Sequence, residues 1–483
     1  MAFSSVQFLF VFLPLALAVY HILPRWMRNG VLCAFSLLFF AWAGLRGALL
    51  LVGLAALNWA GGLVLGRAAH KRRWLALLTA ADLAVLLAFK YAAFAAESVN
   101  FFVPGLLPVF APALPLGISF YLFTSIGYCA DVAAGRVEPA RNPVRFFVFL
   151  AFFGHGPSGP IVRYGQQLPQ LDPRAGARRV TLDRFCYGIK RLVFGLAKKA
   201  VIADQLALIY QRVTSVPAAT LPAPILVLGY AAYMMQLYFD FSGYSDMAIG
   251  IGAFFGLELP ENFNYPYLAR TVGEYWRRWH ITLSSWFRDY VYIPLGGSRV
   301  GKARHCFNLF ATFVVSGLWH GANAPMLAWG ALHGAYMVAG TLTAGVRSRL
   351  WAVLPLRREG PAGRVFSAGV TFCLVCLGWI FFASPNWANA VYILTHLFYD
   401  FVPGVNYLKE SVVLLGLTVP ACVRFAVQFA ALFAVELAAA RTGYAVWLAA
   451  RRPWFQAALS YVWAAALVLW GNIGGGSFMY FRF

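Results

Sequence analysis

Charge is scarce in this chain: Asp, Glu, Lys and Arg make up only 12% of its 483 residues, against 61% hydrophobic ones, about half the charged share of an ordinary soluble domain. A soluble fold has too little interior to hide that much apolar side chain. No polar stretch is long enough to bury a core of its own, so no separate soluble domain is expected. Low-complexity linkers and internal repeats are also missing. The seven cysteines are odd in number and scattered through apolar sequence, which excludes a disulfide framework. Cys373 and Cys376 form a C-x-x-C, but within the apolar run 370–382, where thiols behave as small hydrophobic groups. The chain has no P-loop, no dinucleotide fingerprint, no H-E-x-x-H and no G-x-S-x-G elbow. ATP chemistry and a metal site are therefore not expected.

What is present is a succession of apolar runs long enough, at roughly 20 residues per crossing, to span a bilayer. The candidates are 3–23, 31–43, 47–65, 74–95, 116–134, 146–154, 192–210, 224–257, 307–318, 326–343, 366–382, 412–437 and 454–473. Runs 31–43 and 146–154 are too short to cross alone and read as tilted, re-entrant or buried. The expectation is one all-α polytopic membrane body over residues 1–483, with about 11 crossings plus re-entrant and interfacial helices. The run 3–23 has no basic residue before it and meets Arg25 and Arg28 after it, which reverses the layout of a cleaved signal and predicts a retained first span.

Thirty-nine basic against 17 acidic residues give a net charge of +22. The basic residues fall between apolar runs, in blocks such as 67–73 and 174–199, which is the positive-inside pattern of a membrane protein. No basic segment is free of membrane-like sequence, so nucleic acid is not an expected partner, whereas anionic lipid is. Counting loops from the basic blocks at 24–30 and 67–73 places the N-terminus and the C-terminal tail, 474–483, outside the cytoplasm.

Polar residues within apolar sequence are expensive in hydrocarbon and usually face a cavity, a partner or a substrate path. Four clusters stand out. The first, SGLWHGAN at 316–323, ends one run just before the next and holds Trp319, His320 and Asn323, with His333 thirteen residues on. A histidine here can be a satisfied core residue. Flanking glycines allow close approach, Asn323 can orient a ring or a carbonyl, and an imidazole can act as general base near neutral pH. His320 is the leading catalytic candidate. The second cluster, 274–290, sets apolar residues 276, 279, 283, 286 and 287 on one helical face. It reads as an interfacial helix whose Arg277, Arg278 and His280 can also line a cytoplasmic mouth, the arginines facing donor phosphates. The third, 238–246, carries Asp240 and Asp246 for pairing with a base such as Arg278 or for substrate positioning. The fourth, 154–163, has too much glycine and proline for a helix and reads as a re-entrant loop, with His155 structural.

The stretches WRRWHITLSS (276–285), FRDYVYIPLGG (287–297), SGLWHGAN (316–323) and FSSVQFLFVFL (3–13) resemble the membrane-bound O-acyltransferase family. The branch they look most like is the alginate O-acetyltransferase membrane subunit with its relatives in peptidoglycan and cellulose acetylation. The resemblance runs nearly end to end. It implies a bundle of membrane helices surrounding a tunnel, a cytoplasmic acetyl donor such as acetyl-CoA, no bound cofactor, and extracytoplasmic acetyltransferase partner proteins that complete transfer to a polysaccharide. His320 matches the family's catalytic histidine and His280 its second characteristic polar position. The tail GGGSFMYFRF (474–483) resembles the aromatic tail of many alginate-branch members. It is either a docking or fraying segment, or its glycines let Tyr480 serve as an acyl carrier, a phenol being acylable once a base removes its proton.

The expectation is therefore an O-acetyltransferase that moves acetyl across the membrane for an exported polysaccharide, alginate-like or related. Two alternatives stay open: transfer of another acyl group, such as D-alanyl, to a cell-wall polymer, and a transporter without acyl chemistry.

Overall fold

The structure is a computed structural model, and it describes residues 1–110, 112–172, 178–218, 221–353, 357–397, 409, 412–474 and 478–479. Regular structure among the described residues is helical throughout, with no strand. Each sequence run from 3–23 to 454–473 contains helix, and the chain is a multi-pass membrane protein. Among the described residues, five helices are long and apolar enough to cross a bilayer: Arg25–Ala43, Leu45–Arg67, Pro361–Ala383, Val419–Ala439 and Pro453–Trp470. Lys71–Lys90 and Ala92–Phe102 pass the same test together but are bent by 63°, which raises the number to six if they form one span. Against the 11 expected, the other described helices fall short by length or by polar content. Run 146–154, for instance, forms only the nine-residue helix Pro143–Ala151.

The chain folds into two compact units interleaved in sequence, the first comprising Met1–Leu196, Gly243–Glu261 and Ile473–Phe483, the second Ala197–Ser242 and Asn262–Asn472. In the first unit, Ile118–Ala133 is buried at nearly every position, as its all-round apolar sequence requires. It packs on Leu45–Arg67 and Lys71–Lys90. The glycine- and proline-rich segment 154–162 has no regular helix and is wholly buried. Gly117 adopts φ +73°, and a Cβ there would lie 2.6 Å from the Gly156 carbonyl oxygen, so the segment seats against a backbone that only glycine allows. His155 is 4% exposed within it. Phe478 of the tail is buried, edge-on to Tyr244 at 4.8 Å, so that part of the tail is docked. Tyr480 lies outside the described residues.

In the second unit the chain passes through a π-helical turn, Ala197–Ala203, in which all seven residues are buried. The widened turn presents two consecutive lysines to different acids. Lys198 Nζ meets Glu436 at 2.5 Å, and Lys199 Nζ meets Asp204 at 2.8 Å and Asp240 at 2.6 Å. Glu436 also accepts a hydrogen bond from the Tyr238 hydroxyl at 2.9 Å. Two lysines that look like loop charges in the sequence are thus internal ion-pair partners.

Candidate active site

Three elements of the second unit build the site. Lys302–His320 and Ala324–Leu342 form a tight hairpin. Its closeness comes from glycine: a Cβ on Gly317 would lie 2.5 Å from the Met326 carbonyl oxygen and 3.0 Å from the Gly330 Cα, and one on Gly330 would lie 2.5 Å from the Phe313 carbonyl oxygen. Gly330 and Gly334 are a G-x-x-x-G pair, the spacing by which small residues let membrane helices touch backbone to backbone. Pro361–Ala383 packs on the same hairpin, and Gly378 is the contact: a Cβ there would lie 2.5 Å from Nε2 of His333.

His320 is the last residue of its helix and is 5% exposed. Its ring lies among Trp319 at 4.5 Å, Phe382 at 5.0 Å and Trp329 at 5.1 Å, measured between centroids. Trp329 also meets His333 at 5.1 Å. His333 is fully buried, and its Nδ1 accepts the indole N–H of Trp276 at 3.3 Å. An indole nitrogen can only donate, so the hydrogen of neutral His333 resides on Nε2. From Trp329 the aromatic packing continues to Trp379 at 5.8 Å and from there to Trp279 at 5.1 Å, the residue next to His280. The two histidine motifs, forty residues apart by their numbering, meet in one aromatic cluster.

The 274–290 segment, expected as one helix, is two: Val272–Arg278 and Ile281–Phe287, followed by the π-helical turn Arg288–Tyr292. His280 sits at the break with φ +42°, one of two non-glycine residues with positive φ among those described, the other being Tyr265. Left-handed backbone is costly for a histidine and persists where surrounding contacts fix it. Asn262 supplies them. Its side-chain oxygen accepts from the backbone N–H and the hydroxyl of Thr282 at 3.2 and 2.9 Å and lies 3.0 Å from Nδ1 of His280, while its carbonyl accepts from the Ile281 N–H at 2.9 Å. A backbone N–H can only donate, so the Asn262 atom is the oxygen and His280 Nδ1 carries a hydrogen. Nε2 then holds the lone pair of the neutral ring. Burial pushes the His280 pKa down from 6.5 to about 3, which keeps it neutral at physiological pH. Phe241 stands edge-on to the ring at 4.6 Å.

The remaining candidates are dispersed. Arg277 is exposed. Arg278 turns its Nη2 and Nε onto Glu274 at 2.7 and 3.0 Å and its Nη1 onto the Asn264 carbonyl at 3.1 Å. Burial raises the Glu274 pKa, but the Arg270 backbone N–H and the Arg278 side chain outweigh it and hold the carboxyl below its ordinary value. With Arg278 so engaged, the two acids find other partners than the one expected: Asp240 pairs with Lys199 in the second unit, and Asp246 with Arg191 at 2.5 Å in the first. Asn323 is exposed and caps Ala324–Leu342, accepting from the Met326 N–H at 2.9 Å. It orients a helix start in this structure, where the sequence suggested a ring or a carbonyl. Trp319 packs directly on His320. Asn262, Trp329, Trp379 and Phe382 are not singled out in the sequence. They come from three segments, Trp379 and Phe382 sharing the helix Pro361–Ala383, and only the G-x-x-x-G at 330–334 hinted at the close packing that gathers them.

The model of MBOAT, the membrane-bound O-acyltransferase family, matches residues 140–382, which include both histidine motifs. The chain belongs to the membrane-bound O-acyltransferase family. It is an O-acyltransferase, and His280, His320 and His333 all lie inside the matched region. Among relatives within and around this family, the chain is 40% identical over 80% of its length and 73% of the other's to a Pseudomonas syringae pv. tomato protein named "Probable alginate O-acetylase AlgI". It is 33% identical, over 81% of its length and 79% of the other's, to the peptidoglycan O-acetyltransferase of Helicobacter pylori. With the teichoic acid D-alanyltransferase of Bacillus subtilis it shares 28% identity over 56% of its length and 68% of the other's.

Proposed function

We propose that the protein takes an acetyl group from a cytoplasmic thioester, acetyl-CoA or another cytoplasmic acetyl carrier, and passes it across the bacterial inner membrane for O-acetylation of an exported polysaccharide. The observation that carries this reading is the aromatic cluster joining His320 to the His280 break through Trp329 and Trp379. Relatives named for alginate and peptidoglycan acetylation support acetyl as the cargo and a polymer as the final acceptor.

In this reading His320 removes the proton from an acceptor hydroxyl as its oxygen attacks the acetyl carbonyl. The C–O bond forms, the C–S bond breaks, and the imidazolium returns the proton to the departing thiolate, so no net proton is released. The enclosing indoles and Phe382 exclude water, which would otherwise compete as acceptor. His280, held neutral with its hydrogen on Nδ1, positions the donor or the base, and Arg277 attracts donor phosphates. The acetyl group travels through a passage within a bundle of about 11 crossings, with both termini outside the cytoplasm. There Tyr480 accepts it from the His320 site and hands it to extracytoplasmic partner proteins. A D-alanyl cargo would use the same chemistry, and the Bacillus subtilis relative is the observation in its favour.

The test is ester-linked acetate and D-alanine on surface glycans from cells carrying wild type, His320→Ala or Tyr480→Phe. Loss of acetate by a factor of about 10² or more in His320→Ala is expected, with wild-type amounts of folded protein. Unchanged acetate in His320→Ala overturns the catalytic assignment, unchanged acetate in Tyr480→Phe overturns the carrier, and loss of D-alanine in place of acetate overturns the cargo.

A further inference from the structure

A recess lies in the second unit, and none of its lining residues belongs to the histidine cluster. It encloses about 480 Å³, within the range of roughly 300–1,000 Å³ typical of small-ligand sites. Its walls come from the helices Asp204–Thr214, Ala223–Phe254 and Val419–Ala439, through residues such as Leu208, Leu228, Met235 and Phe425, and the turn 415–418 closes one end. Val419–Ala439 is one of the five bilayer-length apolar helices, and only 11% of its apolar window is buried within the protein. Such a wall borders hydrocarbon.

Two cations stand in this apolar lining. Arg212 and Arg424 both face the recess, and among the described residues neither has a carboxylate partner. Arg212 donates from Nη1 to the Leu415 carbonyl. The turn reaches it because Gly416 adopts φ +61°, and a Cβ there would lie 3.3 Å from that same Nη1. The guanidinium is thereby fixed at the rim, and no carboxylate among the described residues neutralises it. Both arginines are exposed beside this apolar surface, so a ligand that fits the recess must bring an anion to the cations and hydrocarbon to the wall. One molecule that supplies both is an amphiphile with an anionic head.

We propose that this recess seats an anionic phospholipid, its phosphate between Arg212 and Arg424 and an acyl chain along the wall of Leu208, Leu228, Met235 and Phe425. Guanidinium groups match phosphate oxygens in a bidentate geometry. Basic pockets between membrane helices are sites of this kind. The site is separate from acyl transfer and makes the protein's occupancy depend on the lipid composition around it.

The test uses the full chain purified in mild detergent and exchanged into vesicles containing phosphatidylglycerol and phosphatidylethanolamine, with retained lipid quantified by mass spectrometry after re-extraction. Wild type should retain phosphatidylglycerol preferentially, and the pair Arg212→Gln with Arg424→Gln should lose that preference by roughly tenfold or more. Because Arg212 also holds the turn, a second variant, Ala421→Phe, fills the recess and leaves both arginines in place. It too should lose the retained lipid. Excess inorganic phosphate should not displace the lipid, since it uses the arginines and not the wall. The proposal is overturned if Ala421→Phe retains the lipid as wild type does, if retention shows no head-group preference, if inorganic phosphate competes it away, or if an acidic partner helix is found cross-linked at Arg424.

Discussion

The side-chain oxygen of Asn262 lies 3.0 Å from Nδ1 of His280 and accepts two further hydrogen bonds from Thr282. One amide thus sets the tautomer of a motif histidine and holds the break between two helices. Asn262→Ala removes all three bonds from a site that is fully buried and should cost about 1–3 kcal/mol of stability for each polar group left without a partner. Thermal unfolding in detergent should show the loss, and acyl transfer should fall further than the loss of folded protein explains. Equal falls in both would reduce Asn262 to a structural role.

The burial of His280 also predicts a pH dependence. In the unfolded chain the imidazole titrates at 6.5, and in the fold at about 3. Between those values the unfolded state binds more protons, so stability rises with pH across the window and falls on acidification from about pH 6.5 towards 3. The slope approaches about 1.4 kcal/mol per pH unit, and this group contributes none above the window. Melting temperatures of wild type and His280→Asn from pH 5 to 8, values that bracket the ordinary imidazole pKa, should converge towards the acid end. Parallel curves would show that the ring is not buried neutral.

Gly317 makes the helix hairpin under His320 a steric matter. Gly317→Ala places a Cβ 2.5 Å from the Met326 carbonyl oxygen, whereas Gly340 on the partner helix has nothing within 4 Å. The first change should cost about 1–3 kcal/mol by overpacking and reduce activity by displacing His320. Gly340→Ala should be neutral or stabilising by up to about 1 kcal/mol. Unfolding curves and transfer rates of the two alanine variants, measured side by side, check the assignment.

The Lys198–Glu436 ion pair, 2.5 Å apart and nearly fully buried on both sides, should obey the asymmetry of buried charges. Lys198→Met or Glu436→Leu alone should destabilise by about 3–5 kcal/mol, because each leaves a charge without its main partner. The double variant should recover much of that loss. A double-mutant cycle on unfolding free energies measures it, and additive single effects would show that the two side chains are not coupled.

Much of the helical layout is legible in the sequence because crossing a bilayer imposes length and apolarity on contiguous residues, a constraint that survives in one dimension. The run 47–65 appears as Leu45–Arg67, and 366–382 as Pro361–Ala383. The run 412–437 shows the limit: its first residues form the turn that closes the recess at Arg212, because Gly416 at φ +61° and Thr418, which caps the helix through the Ala421 N–H, delay the helix start to Val419. The 274–290 segment has a helical apolar face and still breaks at His280, since Asn262, eighteen residues earlier in number, offers that backbone better hydrogen bonds than the helix would. Lys198 and Lys199 look like loop charges because nothing local reveals Glu436, more than two hundred positions away.

The sequence by itself determined that this is a helical membrane protein, and through its WRRWHITLSS and SGLWHGAN stretches it pointed to acyl transfer and to His280 and His320. Composition, run length and motif wording are local properties, and they needed no folding to be read. Only the tertiary structure decided which cations neutralise Asp240 and Asp246, why His280 stays neutral, and which aromatic rings carry the packing from one histidine to the other. Those are matters of three-dimensional proximity, set where glycines let helices approach closely enough for distant side chains to share a hydrogen bond, a charge or a ring face.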